Sequence, residues 1–443
     1  MEPRLWYRLL FTTNNALVKT DFYPYWSLKV YLECRKLILI IGGGIGGLTL
    51  ALNLHKAGIP CQIFEAVETI KPLGVGINIL PHAMKELSAL ELESDIAANA
   101  VETHEVCFYN RFGQHIYTER RGRFAGYKWP QYSIHRGTLH EILVNAVRER
   151  LGPKAFLTGH RFCQLEQDAE KVTAYFYTGT SKQILKPYRG TALVGCDGIK
   201  SAVRGLFYEK DDPLIYSGIT MWRGVTRQQP FLSGASMIYA GWLKTGKVIA
   251  YPIAKLDNGM HMVNWLCEFY CSPRNPSGDW GQAGNVDDFL WSCEEMNFPW
   301  LNIPQMVKDA EYILEYPMVD KEPLTKWSFG RATLLGDAAH PMYPRGSNGA
   351  GQAIIDARIL ADSLSVESDE VVAFVKYEKE RLPKTTAIVH ANRTNPPDAI
   401  LREVYERSGD KPFKSMKNII TKDELYELSD QYKKIAGFQV SMT

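Results

Sequence analysis

The chain is poor in the features that mark a protein for an oxidising or membrane setting. Among 443 residues there are eight cysteines. The nearest two, Cys267 and Cys271, have neither CxxC spacing nor a histidine at ligand spacing, which argues against a disulfide framework, a zinc site and a disulfide-reductase motif. Scattered thiols of this kind suit a reducing, cytoplasmic compartment. An excess of one charge is also missing. The 51 Lys and Arg balance 49 Asp and Glu to a formal +2, with no basic run, so nucleic acid and anionic membrane are not expected partners. Residues 1–36 (MEPRLWYRLLFTTNN…) hold no signal-peptide core, because polar residues interrupt every apolar run; they read as an extension without fixed structure. The one long apolar run, Leu37–Leu54 (LILIIGGGIGGLTLALNL), has the length of a membrane span, but its glycines divide it into strand, turn and helix. No stable membrane insertion is expected from it. There is no internal repeat and no catalytic triad.

Within that run lies a nucleotide-binding pattern. Leu37–Ile41 is continuously apolar, as in a parallel strand covered on both faces. Gly42-x-Gly44-x-x-Gly47 follows, and then LTLALNLHKAG, a helix stopped by Gly58. The first glycine makes the tight turn, the second lets backbone approach a pyrophosphate, and the third lets helix pack on strand. A second strand, CQIFE, ends on Glu65, 18 residues after Gly47, where a carboxylate accepts hydrogen bonds from ribose hydroxyls. An acid there, in place of an arginine, favours a free 2′-hydroxyl, so FAD and NAD both fit.

Two later segments favour the longer cofactor. ALVGCDGIKSAVR (192–204) is a buried strand leading into Asp197-Gly198, with Ser201 and Arg204 on an opening helix. LLGDAAHPMYPRGSNGAGQAI (334–354) is another strand ending on Gly336-Asp337, followed by a proline-rich turn and a glycine-rich helix start. A second strand-Gly-Asp element some 300 residues after the first glycine turn has no role in a simple NAD site, but FAD needs the chain to return for its ribityl tail and ring. The start of a helix there, bare of side chains, offers backbone donors to the negative charge of a reduced flavin.

In that order, the three elements resemble the fingerprints of single-component flavoprotein aromatic hydroxylases, the para-hydroxybenzoate and salicylate hydroxylase class, over residues 37–395. Connecting stretches, including PLGVGINI (72–79, containing Gly76), PQYSIHRG (130–137), ITMWRGV (219–225) and YPMVD (316–320), are similar to the branch that hydroxylates a methylphenazine carboxylate in pyocyanin synthesis. The resemblance implies FAD as cofactor, NAD(P)H and O2 as co-substrates, and a small aromatic or polyketide-like substrate oxygenated by a flavin C4a-hydroperoxide, with decarboxylation where a carboxylate sits at the attacked carbon. It implies that Glu65 holds the adenosine ribose and that Arg136 lies along the pyrophosphate or ribityl chain. Asp197 would serve FAD and nicotinamide, Asp337 a ribityl hydroxyl, and the Gly346–Gly351 loop, with Gly349 and Ala350, the flavin ring. Gly76 joins the cofactor set, and Arg223 and Tyr251 are assigned to the substrate pocket.

For several residues a plainer role competes. Asp197 can cap the next helix with Ser201, His340 before a proline reads as structural, and His82, His135 and His140 read as ordinary. The expected architecture is α/β: a Rossmann-like FAD-binding domain in two parts (37–205 and 326–395), an inserted antiparallel-sheet substrate domain (206–325), and C-terminal helices (396–443) lying against the body. An FAD dehydrogenase or epoxidase on the same scaffold, and a flavin-binding protein without turnover, stay open as alternatives. The oligomeric state is also open.

Overall fold

The computed structural model describes residues 36–70, 75–179, 181–208, 212–272 and 282–437. The expected N-terminal extension and part of the PLGVGINI stretch lie outside the described residues. At the centre of the cofactor half is a five-stranded parallel sheet in the order Ala332–Leu334, Ala192–Gly195, Ile38–Ile41, Cys61–Phe64, Phe156–Leu157. The strands Ile38–Ile41 and Ala192–Gly195 are buried at every position, which explains their unbroken apolar sequence. This order brings the ends of three strands together, those preceding Gly42, Asp197 and Gly336. Helices α1 (Ile45–Lys56) and α2 (Arg136–Leu151) pack on each other, and α1 also packs on α3 (Gly349–Val366). The expected membrane-length run is thus one strand, one turn and α1, and among the described residues no helix is long and apolar enough to cross a membrane.

The second sheet has eight strands, in the order Gln282–Ala283, Tyr312–Asp320, Ile215–Gln228, His261–Tyr270, Gly246–Lys255, Ser236–Trp242, Glu105–Tyr109, His115–Arg120. All neighbours are antiparallel except Ser236–Trp242 with Glu105–Tyr109. The sheet therefore starts well before the expected boundary at 206, because the hairpin 105–120 leaves the cofactor half to extend its edge. Gly246–Lys255 and His261–Tyr270 are almost wholly buried. The reason is that both faces are covered. Ile249 and Tyr251 point into a core shared with Ile400, Leu401, Val404 and Leu425, while Val248 and Ala250 point into another shared with Phe289, Met296, Phe298 and Met306.

The C-terminal part continues as α4 (Glu370–Thr394), α5 (Ala399–Ser408) and α6 (Lys422–Ala436). Thr421 and Glu424 form a reciprocal capping box at the start of α6, which fixes where that helix begins. At the start of α5, buried Asp398 meets Lys247, which also pairs with Glu268 at 2.7 Å, and this cluster ties α5 to the sheet.

Candidate active site

The glycines of the first turn have separate reasons. Gly42 has φ +105°, and a Cβ there would run into the Cys196 carbonyl. A Cβ on Gly47 would meet the Gly42 carbonyl, so this glycine lets α1 lie against the turn. A Cβ on Gly44 would touch nothing within 4 Å, which leaves open space beside the backbone. Gly44 is also the N-cap of α1 and supplies no side-chain cap, so the first N–H groups of α1 are left for an anion. Glu65 accepts from Gly43 N–H at 2.8 Å and Val67 N–H at 2.9 Å. Each of its oxygens keeps a lone pair for a ribose hydroxyl. His140, which had read as ordinary, holds the Gly43 carbonyl from α2 at 2.6 Å. The two residues lie 97 positions apart, so no local pattern could have paired them.

The third turn supplies the acid. Gly336 (φ +62°) turns the chain so that Asp337 faces open space, and Asp337 makes no hydrogen bond among the described residues. Asp337 is exposed to that open space, yet protein walls surround it closely enough that desolvation raises its carboxyl above the usual range, partly offset by the charges of His340 and Arg136. Arg136, at the first position of α2, is exposed, and its guanidinium has no hydrogen bond or ion pair among the described residues. A Cβ on Gly349 would sit 3.9 Å from Asp337 Oδ1, so the uncapped start of α3 adjoins the same acid. A cation, an acid and a helix N-terminus, each without a protein partner, therefore lie together. They match the pyrophosphate, the hydroxylated tail and the electron-poor ring of FAD in chemical type.

A buried network fixes these parts. Asp356 accepts from His340 Nε2 at 2.5 Å, Arg381 Nε at 2.6 Å and Gly336 N–H at 3.2 Å. Burial would raise the Asp356 carboxyl, but the His340 and Arg381 charges and hydrogen bonds hold it below the usual range. Arg381 donates to Gln352 at 2.6 Å, and Asn348, just before α3, donates to Tyr432 of α6 at 2.8 Å. His340 is thus structural, as the plainer reading had it.

Several of the expected site residues have protein partners. Asp197 accepts from Ser201 Oγ at 2.5 Å, Ala202 N–H at 2.7 Å and Val203 N–H at 3.2 Å, so it caps the short helix Ala202–Phe207. That helix in turn grips the third turn, since Arg204 donates to the Ala338 and Ala339 carbonyls at 3.3 Å each. At Gly76 the N–H goes to Asn264 at 2.7 Å and the carbonyl to Arg223 at 2.9 Å, and a Cβ would lie 2.6 Å from that of Asn264. Packing against the large sheet is by itself a reason for the glycine. Arg223 thus gives one N–H to backbone, while its Nε is buried without a partner. Tyr251 is buried, and burial raises its phenol pKa, offset chiefly by the charge of Arg223.

Arg223 and Tyr251 are absent from the walls of the adjoining cavity, which is lined instead by Val106, Arg121, Gln131, Met237 and Tyr239, by Gly346 and Ser347 before α3, and by Ser429, Tyr432 and Lys433 of α6. Of these, the sequence had singled out only Gly346 and Ser347, as the start of the loop expected to meet the flavin.

The chain matches the FAD binding domain family over residues 36–210 and 313–392. It is 43% identical over 361 residues to the phenazine 1,6-dicarboxylic acid hydroxylase of Lysobacter antibioticus, covering 80% of this chain and 89% of that protein. It is 30% identical over 367 residues to a 3-hydroxybenzoate 6-hydroxylase of Polaromonas naphthalenivorans, covering 80% and 86%. Among solved structures, Klebsiella pneumoniae HpxO complexed with FAD and uric acid superposes with a TM-score of 0.70 at 22% identity, covering 92% of this chain and 97% of that one, a likeness of fold. The chain belongs to the FAD binding domain family. Within it, the chain is an FAD-dependent, NAD(P)H-consuming monooxygenase of the aromatic hydroxylase type.

Proposed function

We propose that the enzyme hydroxylates a small planar aromatic ring lying in the cavity beside Gly346 and Ser347, with loss of CO2 where a carboxylate occupies the attacked carbon. Bound FAD supplies the hydride acceptor and the activation of O2, and the chain supplies binding, orientation and exclusion of water. The first N–H groups of α1 and the Arg136 guanidinium take the pyrophosphate, with Gly42 and Gly47 shaping the turn and Gly44 leaving room beside it. Glu65 takes a ribose hydroxyl on its free lone pairs, and Asp337 accepts from the ribityl tail. The start of α3, at Gly349 and Ala350, faces the ring edge where negative charge gathers on reduction, so its backbone donors stabilise the reduced form. Asp197 acts one step away, by shaping the turn that carries Arg204 onto the Ala338 and Ala339 carbonyls.

One observation carries this reading. Arg136, Asp337 and the α3 N-terminus are polar groups without protein partners, gathered at the ends of parallel strands where an open α/β sheet binds its ligand. The cofactor unit would comprise 37–205 and 326–395, and the substrate unit 206–325 together with the early hairpin 105–120. The scattered free cysteines support a cytoplasmic setting.

The test is NAD(P)H oxidation by the yellow protein across hydroxylated and carboxylated aromatics under isotopically labelled O2. One labelled oxygen in the product and stimulation by substrate are expected. Turnover without label would favour a dehydrogenase, and a flavin that is never reduced would favour a binding protein.

A further inference from the structure

The hairpin end at Glu119–Arg121 is unusual for a buried place. Arg121 is 16% exposed on its side chain and reaches Glu119 with Nη2 alone, at 3.3 Å. Its Nε is buried and has no partner. Glu119 is meanwhile covered from the other side by Ser429 Oγ at 2.5 Å and by Lys433. Two cations thus share one carboxylate, and the local sum is one positive charge. Near Arg121 the same cavity is lined by Gln131, 2% exposed, and by Tyr239, whose ring stacks on Phe108 at 5.3 Å. Neither the Gln131 amide nor the Tyr239 hydroxyl has a hydrogen-bond partner among the described residues. The remaining walls include Leu80, Val106 and Met237, which are apolar.

A guanidinium Nε that is buried without a partner is costly to leave unsatisfied, and an unused amide and an unused hydroxyl stand beside it. Together they present donors in excess around a net positive charge, in a slot whose walls also include the apolar Leu80, Val106 and Met237. The group that completes such a set is a planar, doubly accepting anion, which arginine binds in a fork. We infer that Arg121, with Gln131 and Tyr239, anchors a carboxylate of the aromatic substrate, so that an aromatic acid is preferred over its neutral counterpart. This rests on the hydroxylase reading above and adds the recognition of the acid to it. The ring would then lie along Met237 and Val106 toward Gly346 and Ser347, at the start of the flavin loop.

The experiment uses the FAD-loaded enzyme, with phenazine-1,6-dicarboxylate and uncharged phenazine as probes. Binding is read from the flavin absorbance change and turnover from NAD(P)H oxidation. The wild type is expected to hold the diacid at least about tenfold more tightly than phenazine, the scale of one charge-assisted hydrogen bond. Arg121→Gln should weaken the diacid by roughly 10- to 100-fold on the same scale, leave phenazine within about twofold, and keep the FAD content unchanged. Arg121→Lys should restore part of the loss. If Arg121→Gln does not fold, Gln131→Leu removes a donor without touching the ion pair and should cost the diacid roughly three- to tenfold. Equal affinity of the wild type for both probes, binding of neither, or an equal loss for both in the variants overturns the anchor. If the wild type oxygenates aromatics while the variants leave acid binding unchanged, the anchor alone falls. If acid-selective binding depends on Arg121 but no labelled oxygen reaches a product, the anchor stands and the hydroxylase reading falls.

Discussion

The cofactor end and the substrate end of this active site are built from different materials. The cofactor end is mostly backbone: a positive-φ glycine, two helix N-termini without side-chain caps, and three strand ends from one parallel sheet. The substrate end is mostly side chains, contributed by the 105–120 hairpin, the Tyr132–His135 approach, the Ser236–Trp242 strand and α6. A backbone site constrains residue type locally, since only glycine fits certain places. A side-chain site is assembled across the chain and leaves no local spacing. The first kind serves a cofactor that does not vary, and the second can change its ligand with a few substitutions.

The largest expected effect breaks the cofactor end at its backbone. Gly42→Ala puts a Cβ into the Cys196 carbonyl at φ +105°, a clash with backbone that no rotamer relieves. A loss above about 4 kcal/mol is expected, seen as colourless or insoluble protein. Gly44→Ala is the control, because its Cβ meets nothing within 4 Å of protein. That variant should fold with an apoprotein Tm like the wild type and yet bind FAD more weakly by flavin titration. Equal FAD affinity in Gly44→Ala would show that the open space beside Gly44 is not where the phosphates come.

These differences explain what could be read in advance. The GxGxxG turn, Glu65 and Gly336-Asp337 were legible because each is a strand end followed by a residue type that its own turn demands. Gly76 was legible as a glycine but not in its reason, which is Asn264, 188 residues away. Asp197 carried two readings, and Ser201, four residues on, pointed to the cap that the structure contains. The expected sheet region from 206 did not include hairpin 105–120, which has ordinary strand composition and nothing in it that names the sheet it joins. Arg121 and Gln131 had no signal at all, since their meaning lies in partners they lack. The near-complete burial of the large sheet could not be read in advance, because α5, α6 and the 286–307 segment cover faces that the sheet's own sequence cannot report.

A middle-sized effect is expected at the substrate end from the ion cluster of Lys247, Glu268 and Asp398. Burial would raise the Asp398 carboxyl, but Lys247 and Arg345 outweigh it and bring the pKa down to about 2. A carboxyl depressed on folding contributes stability that is complete above the ordinary carboxylate range and is lost as pH falls through the folded value. Asp398→Asn should therefore cost roughly 3 kcal/mol at neutral pH, the scale for breaking a buried pair. The gap to wild type should stay level from pH 7 to about 5 and close as pH falls from about 4 toward 2. Urea unfolding at a series of pH values measures it. The FAD content of folded Asp398→Asn should match the wild type, and a variant that folds well but loses flavin would erase the division between the two ends.

The smallest effect concerns how a ring enters at all. The free space in the cavity is about 30 Å³, room for a couple of waters. An aromatic guest therefore has to displace a wall, and the wall attached by polar contacts to the hairpin edge is α6, through Ser429 and Lys433 on Glu119. Removing Lys433 would also remove a charge and so confuse entry with recognition. Ser429→Ala breaks one hydrogen bond to Glu119 and leaves the charges alone, a change of about 1 kcal/mol that corresponds to roughly fivefold. Stopped-flow flavin absorbance should show the binding rate levelling off with ligand concentration in the wild type, because opening limits it, and levelling off roughly fivefold higher in Ser429→Ala. Phenazine and its diacid should gain equally, since α6 acts as a barrier to both while Arg121 discriminates between them. A gain confined to the diacid would mean that Ser429 tunes the charge on Glu119, and the separation of entry from recognition would be lost.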